Sequence, residues 1–327
     1  MSQPLIQKEA LFNEVKGSLF EYLVARRLAQ LAGREIEFLK TIDQNYLNVL
    51  SQQDRMVRQF YPEMLHFLSL VAEKSSQTLV DYLQEIPLAP RLRGKFVNSS
   101  LGSELFEADL LLESSKGQIP LSLKLNKKNS FVNTKSGGIK SFFEVYFPFI
   151  HQDIQTQFNG FVDREFTRTA FELHALNDWD YPGDYSLWVQ SGKSELPGEL
   201  SDEESKILKA FYARVAMEMH HILSLAQKEY PAPFSSSLSA LMGFSSQDIL
   251  QLICFHDFKT QGDSQVELHR FSDIAPLLES AQLKPFNQTA SVEIKLGEIA
   301  LQIRVKPMNK FTTTAIKINC SVKFRQS

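Results

Sequence analysis

Apolar residues recur at helical spacing through the first quarter of the chain. In FNEVKGSLFEYLVARRLAQLAG they fall at Phe12, Val15, Leu19, Leu23 and the Leu28/Leu31 pair, and Gly33 offers a stop. The period continues through Leu47, Leu50, Val57, Phe60, Leu65, Leu68 and Val71 as far as Pro87. The segment PLAPRLRGK (87–95) is rich in breakers and reads as a connection. After it the period changes to two. Over 106–126, FEADLLLESSKGQIPLSLKLN, alternation predicts a β-hairpin turning at Ser114–Gly117. Phe106, Ala108, Leu110 and Leu112 share one face, and Ile119, Leu121, Leu123 and Leu125 share the matching face of the second strand. The other face collects Glu107, Asp109, Ser122, Lys124 and Asn126, with Leu111 as the one apolar intruder. Asp109 then lies opposite or diagonal to Ser122 and Lys124, where cross-strand Cβ atoms are about 4.5–5.5 Å apart.

Beyond the hairpin, FVNTKSGGIKSFFEVYF (131–147) reads as a Gly-Gly turn leading into an apolar helix. Residues 155–177 read as a helix and 178–201 as a turn-rich surface excursion. Residues 201–230 form another expected helix, with Ser201 as N-cap and acids in the first turn. SSQDILQLICFHDF (245–258) is expected as a short helix with Ser at its start. The tail from 291 alternates and is β-branched, which predicts two or three antiparallel strands. At 327 residues the chain can bury a large core, as one big domain or two unequal lobes. The expected fold is one α/β domain over 1–327, a mixed β-sheet core flanked by helices, with helical elaborations and C-terminal antiparallel strands. Its parts are a helical N-terminal part (1–87), the hairpin and following helix (88–150), a mainly helical part (151–290) and the C-terminal strands (291–327).

Composition is that of an ordinary globular protein, 43% hydrophobic and 22% charged. No apolar run approaches the ~18–20 residues of a membrane span, and the first residues lack the apolar stretch of a signal peptide. A cytoplasmic protein is expected. Cys254 and Cys320 lie far apart in apolar stretches, which excludes a zinc knuckle or C-x-x-C pair and predicts buried reduced thiols. Net charge is −3, yet residues 116–140 hold six lysines and no acid, and residues 291–327 carry a net +5. Two basic segments on an acidic body form an electrostatic footprint for a polyanion.

There is no Walker A loop, G-x-G-x-x-G, G-x-S-x-G or H-E-x-x-H, which removes the easily read nucleotide, hydrolase and zincin classes. His220 and His221 point about 100° apart on a helix and cannot form an i,i+4 metal pair. His256 and Asp257 stand near the end of the expected short helix. The hairpin carries more. Phosphodiester hydrolysis needs carboxylates to hold Mg²⁺ and a cation to steady the attacking hydroxide. Asp109 supplies a fixed carboxylate, and Lys124 a point charge on a long stem. Glu21 stands on an upstream helix, lysines follow Lys124, and NTKSGGIKSF leads to a helix N-terminus, a natural phosphate site.

Glu21 on a helix, then Asp109, then Ser122-Leu123-Lys124 on the next strand, 15 residues on from Asp109, resembles the PD-(D/E)xK nuclease superfamily and within it the Type II restriction endonucleases. The resemblance covers about residues 12–145. Ala108 stands where the motif name has Pro, and Ser122 where an acid is expected. Some restriction enzymes of this superfamily carry S-x-K and bring the missing carboxylate from the following helix, a place that Glu144 in KSFFEVYF matches. The resemblance implies a Mg²⁺-dependent endodeoxyribonuclease cutting duplex DNA at a short site. Asp109, Glu144 and Glu21 are the implied metal ligands, and Lys124 and Ser122 complete the catalytic set. Lys127, Lys128, Lys135, Lys140, Arg304, Lys306 and Lys310 are candidates for gripping DNA, with Asn309 or Arg304 as possible readers of base edges. Cutting both strands needs two sites, hence a homodimer. The alternatives are a non-catalytic nucleic-acid-binding or assembly protein on a nuclease-like fold, and a structure-specific repair or phage-defence nuclease.

Overall fold

The computed structural model describes residues 5–87, 91–92, 108–193, 196, 200–245, 248–256, 264–307, 311 and 315–324. Phe106, Glu107, Asp257, Asn309 and Lys310 lie outside this set. The described chain is mixed α/β and divides into two compact units, Met1–Ser130 with Phe244–Ile274, and Phe131–Gly243 with Ala275–Ser327.

The first unit opens with four helices, α1 (Leu5–Leu31), α2 (Glu35–Thr41), α3 (Gln44–Phe60) and α4 (Pro62–Leu83). Gly33 ends α1 in the left-handed region, at φ +67°, as the helical period implied. Asp43 caps α3, its Oδ1 accepting from the Asn45 N–H at 2.8 Å and the Tyr46 N–H at 3.3 Å. Pro62 begins α4, where its missing N–H is harmless.

The strands of this unit are β1 (Arg91–Leu92), β2 (Leu110–Ser114), β3 (Gly117–Lys127), β5 (Leu250–His256) and β6 (Gln265–Arg270), β4 belonging to the other unit. They form one sheet in the order β1-β2-β3-β5-β6. The hairpin pairs Leu110 with Leu121 and Ser114 with Gly117, so the turn sits where alternation placed it. β3 and β5 run parallel and every other pair is antiparallel, which makes this a mixed sheet. Leu110, Leu112, Leu121, Leu123, Leu250 and Leu252 turn to one face and pack on Val24, Leu28, Leu68 and Leu79 of the helices. Each such side chain contributes about 1.5–3 kcal/mol.

β5 corrects the helix expected over 245–258. The strand is buried on both faces, with Leu250, Leu252 and Cys254 on one side and Gln251 and Ile253 on the other. A strand of that kind reads as an unbroken apolar run, which periodicity cannot separate from a buried helix. His256 therefore ends a strand, and its ring meets Phe67 edge-on at 5.3 Å.

The second unit holds β4 (Val132–Gly138), α5 (Phe142–Tyr146), α6 (Gln152–Ala175), α7 (Ser186–Gln190), α8 (Asp202–Glu229) and α9 (Pro231–Leu241). α10 (Phe271–Leu278) crosses the boundary between the units, and β7 (Gln282–Leu283), β8 (Ser291–Leu296), β9 (Ile299–Pro307) and β10 (Ile316–Lys323) follow. Its sheet is fully antiparallel, in the order β4-β10-β9-β8-β7. The expected C-terminal strands are β8, β9 and β10. Their inward face, with Val292, Ile303, Val305, Ile318 and Val322, is buried, and α8 packs on β8 and β9. α8 starts at a full capping box between Ser201 and Glu204.

The Gly-Gly turn expected at 137–138 is instead the end of β4. Gly137 pairs with Ile318 and Gly138 with Lys317, so ladder hydrogen bonds from a distant strand override a local turn signal. The helix that follows is a single short turn over 142–146. Both cysteines are free and buried, as their apolar surroundings implied.

Candidate active site

Asp109 stands just ahead of β2 and is pinned by β3. Its N–H donates to the Leu121 carbonyl at 2.8 Å, which fixes the backbone. Its Oδ2 accepts from the Leu123 N–H at 2.6 Å and from the Ser122 hydroxyl at 3.3 Å. The Lys124 ammonium lies 3.5 Å from the same oxygen. These three groups all meet Oδ2. The Asp109 and Lys124 side chains are 22% and 27% exposed, so the pair is neither sealed in the core nor a free surface bridge.

Glu21 joins this pair from α1. Its carboxyl pKa is pushed up to about 8, first by burial and then by the charge of Asp109, with Lys124 drawing it partly back. Two carboxyl groups thus share one electrostatic neighbourhood with one lysine. Tyr46 of α3 borders the same place. It is buried, and burial followed by the charges of Glu21 and Asp109 raises the pKa of its hydroxyl.

The sheet extends the polar row. In the parallel β3–β5 pair Ser122 is in register with Gln251 and Lys124 with Ile253. Gln251 is in turn paired with His269 on β6, and Ile253 with Glu267. Glu267 and His269 contact each other at 3.2 Å. The row starts at Asp109, just ahead of β2, and runs through Ser122 on β3 and Gln251 on β5 to His269 on β6, and Ile253 makes an apolar wall beside Lys124. Neither Tyr46 nor Gln251 stood out in the sequence. Tyr46 shares a helical face with Leu50 and Val57, all three buried, a core signature. Gln251 was hidden by the misread strand.

The other expected residues are distributed as follows. Glu144 is exposed on α5 in the second unit, its backbone N–H 3.3 Å from Gln155 Oε1. Lys127 and Lys128 are exposed at the end of β3. Lys135 on β4 is half-buried, and burial lowers its ammonium pKa. Lys140 is committed to Asp163 at 2.7 Å. Arg304 and Lys306 are exposed on β9. His220 meets the Lys284 carbonyl through Nε2 at 2.9 Å, a local partner.

Two crowded carboxyls with a hydroxyl between β2 and β3 suit a hard divalent cation. Asp109 and Glu21 would hold Mg²⁺, with Ser122 beside them. Burial first, and then the charge of Asp109, raise the Glu21 pKa, and a cation bound there would favour the ionised carboxylate. No cluster of three or more His, Cys, Asp or Glu suited to a metal occurs among the described residues. The remaining ligands would then be waters and phosphate oxygens, the usual completion of a Mg²⁺ shell.

No protein-family model, curated protein or solved structure gives a significant match to the chain. Among the described residues no helix is long and apolar enough to cross a membrane.

Proposed function

We propose that the protein is a Mg²⁺-dependent endodeoxyribonuclease of the PD-(D/E)xK kind, acting on a short duplex DNA site as a Type II restriction enzyme does. The observation that carries this reading is the Lys124 ammonium 3.5 Å from an Asp109 oxygen, with the raised-pKa Glu21 in the same electrostatic neighbourhood. Asp109 and Glu21 bind the metal. A bound magnesium ion supplies charge neutralisation and Lewis acidity at the scissile phosphate. Lys124 orients the attacking water, and Ser122 steadies the Asp109 carboxylate. Lys127 and Lys128, exposed at the strand end, hold the DNA backbone near the hairpin. Cutting both strands takes two copies of the site, so the active form is a homodimer.

Plasmid cleavage with Mg²⁺ tests the reading, comparing the wild type with Asp109→Ala and Lys124→Ala. Wild-type cleavage that both substitutions abolish supports it, and cleavage that survives both removes the site assignment. Discrete bands support sequence specificity, whereas a smear points to a structure-specific nuclease. One observation favours a second reading. With Ser122 where an acid is expected, the second strand of the hairpin offers no carboxylate beside Lys124, as in a non-catalytic nucleic-acid-binding protein. DNA binding without cleavage in any divalent metal would establish that reading instead.

A further inference from the structure

The antiparallel sheet of the second unit has one face packed on helix and one facing outward. β10 alternates strictly, with Ile316, Ile318, Cys320 and Val322 buried and Lys317, Asn319, Ser321 and Lys323 between them. β9 matches it, Ile303 and Val305 inward, Arg304 and Lys306 outward. The register sets Lys306 directly opposite Lys317, and Arg304 opposite Asn319. Like charges directly opposite on a sheet are destabilising. Among the described residues none of Arg304, Lys306 and Lys317 has an acidic partner. The partner available to Lys306 is a neutral amide: with its amide oriented to suit both neighbours, Asn319 accepts from Lys306 Nζ at 3.2 Å and donates to Ser136 Oγ at 2.8 Å. Glu293, the one acid at a ladder position of this face, is already engaged by Lys284 at 3.2 Å. Burial, with Arg304 and Lys317 nearby, lowers the Lys306 ammonium pKa.

An uncompensated cation row of this kind is held against its own repulsion, and a polyanion relieves it. The ladder positions of the face decide which polyanion. They are filled by Lys, Arg, Asn, Gln, Ser, Ala and Gly besides Glu293, and none is aromatic. Single-stranded nucleic acid is held on sheets largely by stacking of its bases on aromatic side chains. A duplex hides its bases and presents phosphates to lysine, arginine and amide donors. We propose that the outward face of this sheet, centred on Arg304, Lys306 and Lys317, docks the phosphate backbone of a nucleic-acid duplex, independently of any metal and of the hairpin chemistry. The inference extends the nuclease reading to a second contact, and it stands or falls separately from it.

The test is fluorescence anisotropy of a labelled short duplex with the full-length protein in EDTA, across a salt series. In Arg304→Gln/Lys306→Gln/Lys317→Gln, affinity should weaken roughly tenfold or more at low salt, and the slope of log affinity against log salt should flatten by about 0.9 per cation removed. Lys209→Gln on the exposed part of α8 is the charge control and should bind as the wild type does. Circular dichroism should show the triple variant folded, since the changes relieve repulsion. Unchanged binding by the triple variant overturns the inference, as does a wild type that binds single strands as tightly as the duplex or binds no duplex at low salt. Wild-type duplex binding that needs these cations, with no cleavage in Mg²⁺, keeps the inference and defeats the nuclease reading. Cleavage with unchanged binding in the triple variant does the reverse.

Discussion

The two sheets place their polar groups under opposite conditions. In the mixed sheet of the first unit the interior strand β5 is buried on both sides, and the polar groups beside it are partly or wholly withdrawn from water. There an acid changes its chemistry: Glu21 holds its proton to about pH 8. In the antiparallel sheet of the second unit one face is core and the other presents Arg304 and Lys306 to solvent. The difference separates two tasks. Desolvated, pinned groups suit bond chemistry, and solvated cations suit holding a polyanion.

The sharpest way to break this contrast is at Asp109 and Lys124. Replacing either by alanine should lower Mg²⁺-dependent cleavage by about 10²–10⁴-fold with the fold retained by circular dichroism. Full activity in both would leave the mixed sheet with no chemical role. Next is packing. Leu252→Ala should destabilise the protein by about 2–5 kcal/mol in denaturant titration. Ser321→Ala, on the outward face of the other sheet, should stay within about 0.5 kcal/mol. Equal losses would mean that the two sheets are not differently buried.

The titration of Glu21 is the third. Its folded pKa, about 8, is above the ordinary carboxyl value of 4.5. Between those pH values the folded state keeps the proton that the unfolded state releases, so stability falls as pH rises through that window. Glu21→Gln removes this dependence. Metal-free wild type should therefore lose melting temperature relative to the variant between pH 5 and pH 8. Parallel curves would show that the carboxyl is not desolvated. In the wild type, Mg²⁺ should also bind more tightly at pH 8.5 than at pH 6.5, because the metal must displace that proton. The smallest effect is on the outward face. Lys306→Gln should stabilise by about 0.2–1 kcal/mol by ending the cross-strand repulsion with Lys317. A loss of stability of that size would mean that the lysine makes a favourable contact instead.

Much of this was legible along the chain where one face of an element is wet. The hairpin from Leu110 to Leu125, the α8 cap at Ser201 and the strands after 291 all mark their buried side by alternation or by a 3.6-residue period. The helix bearing Glu21 was legible for the same reason. β5 was not, because a strand covered on both faces has no polar side to betray its period. Gly137 and Gly138 misled in the other direction. Their turn preference is weak against the hydrogen bonds that β10 offers.

By itself the sequence determined the hairpin, the adjacency of Asp109 and Lys124, the buried thiols and the basic character of the two lysine-rich stretches. Each follows from spacing along a single element or a short turn, where local geometry fixes which side chains meet. Only the tertiary structure decided that Gln251 stands beside Ser122, that Tyr46 borders the acids and that Lys140 is neutralised by Asp163. Those neighbours come from strands and helices far apart in sequence, brought together by burial of apolar faces that carry no record of their partner.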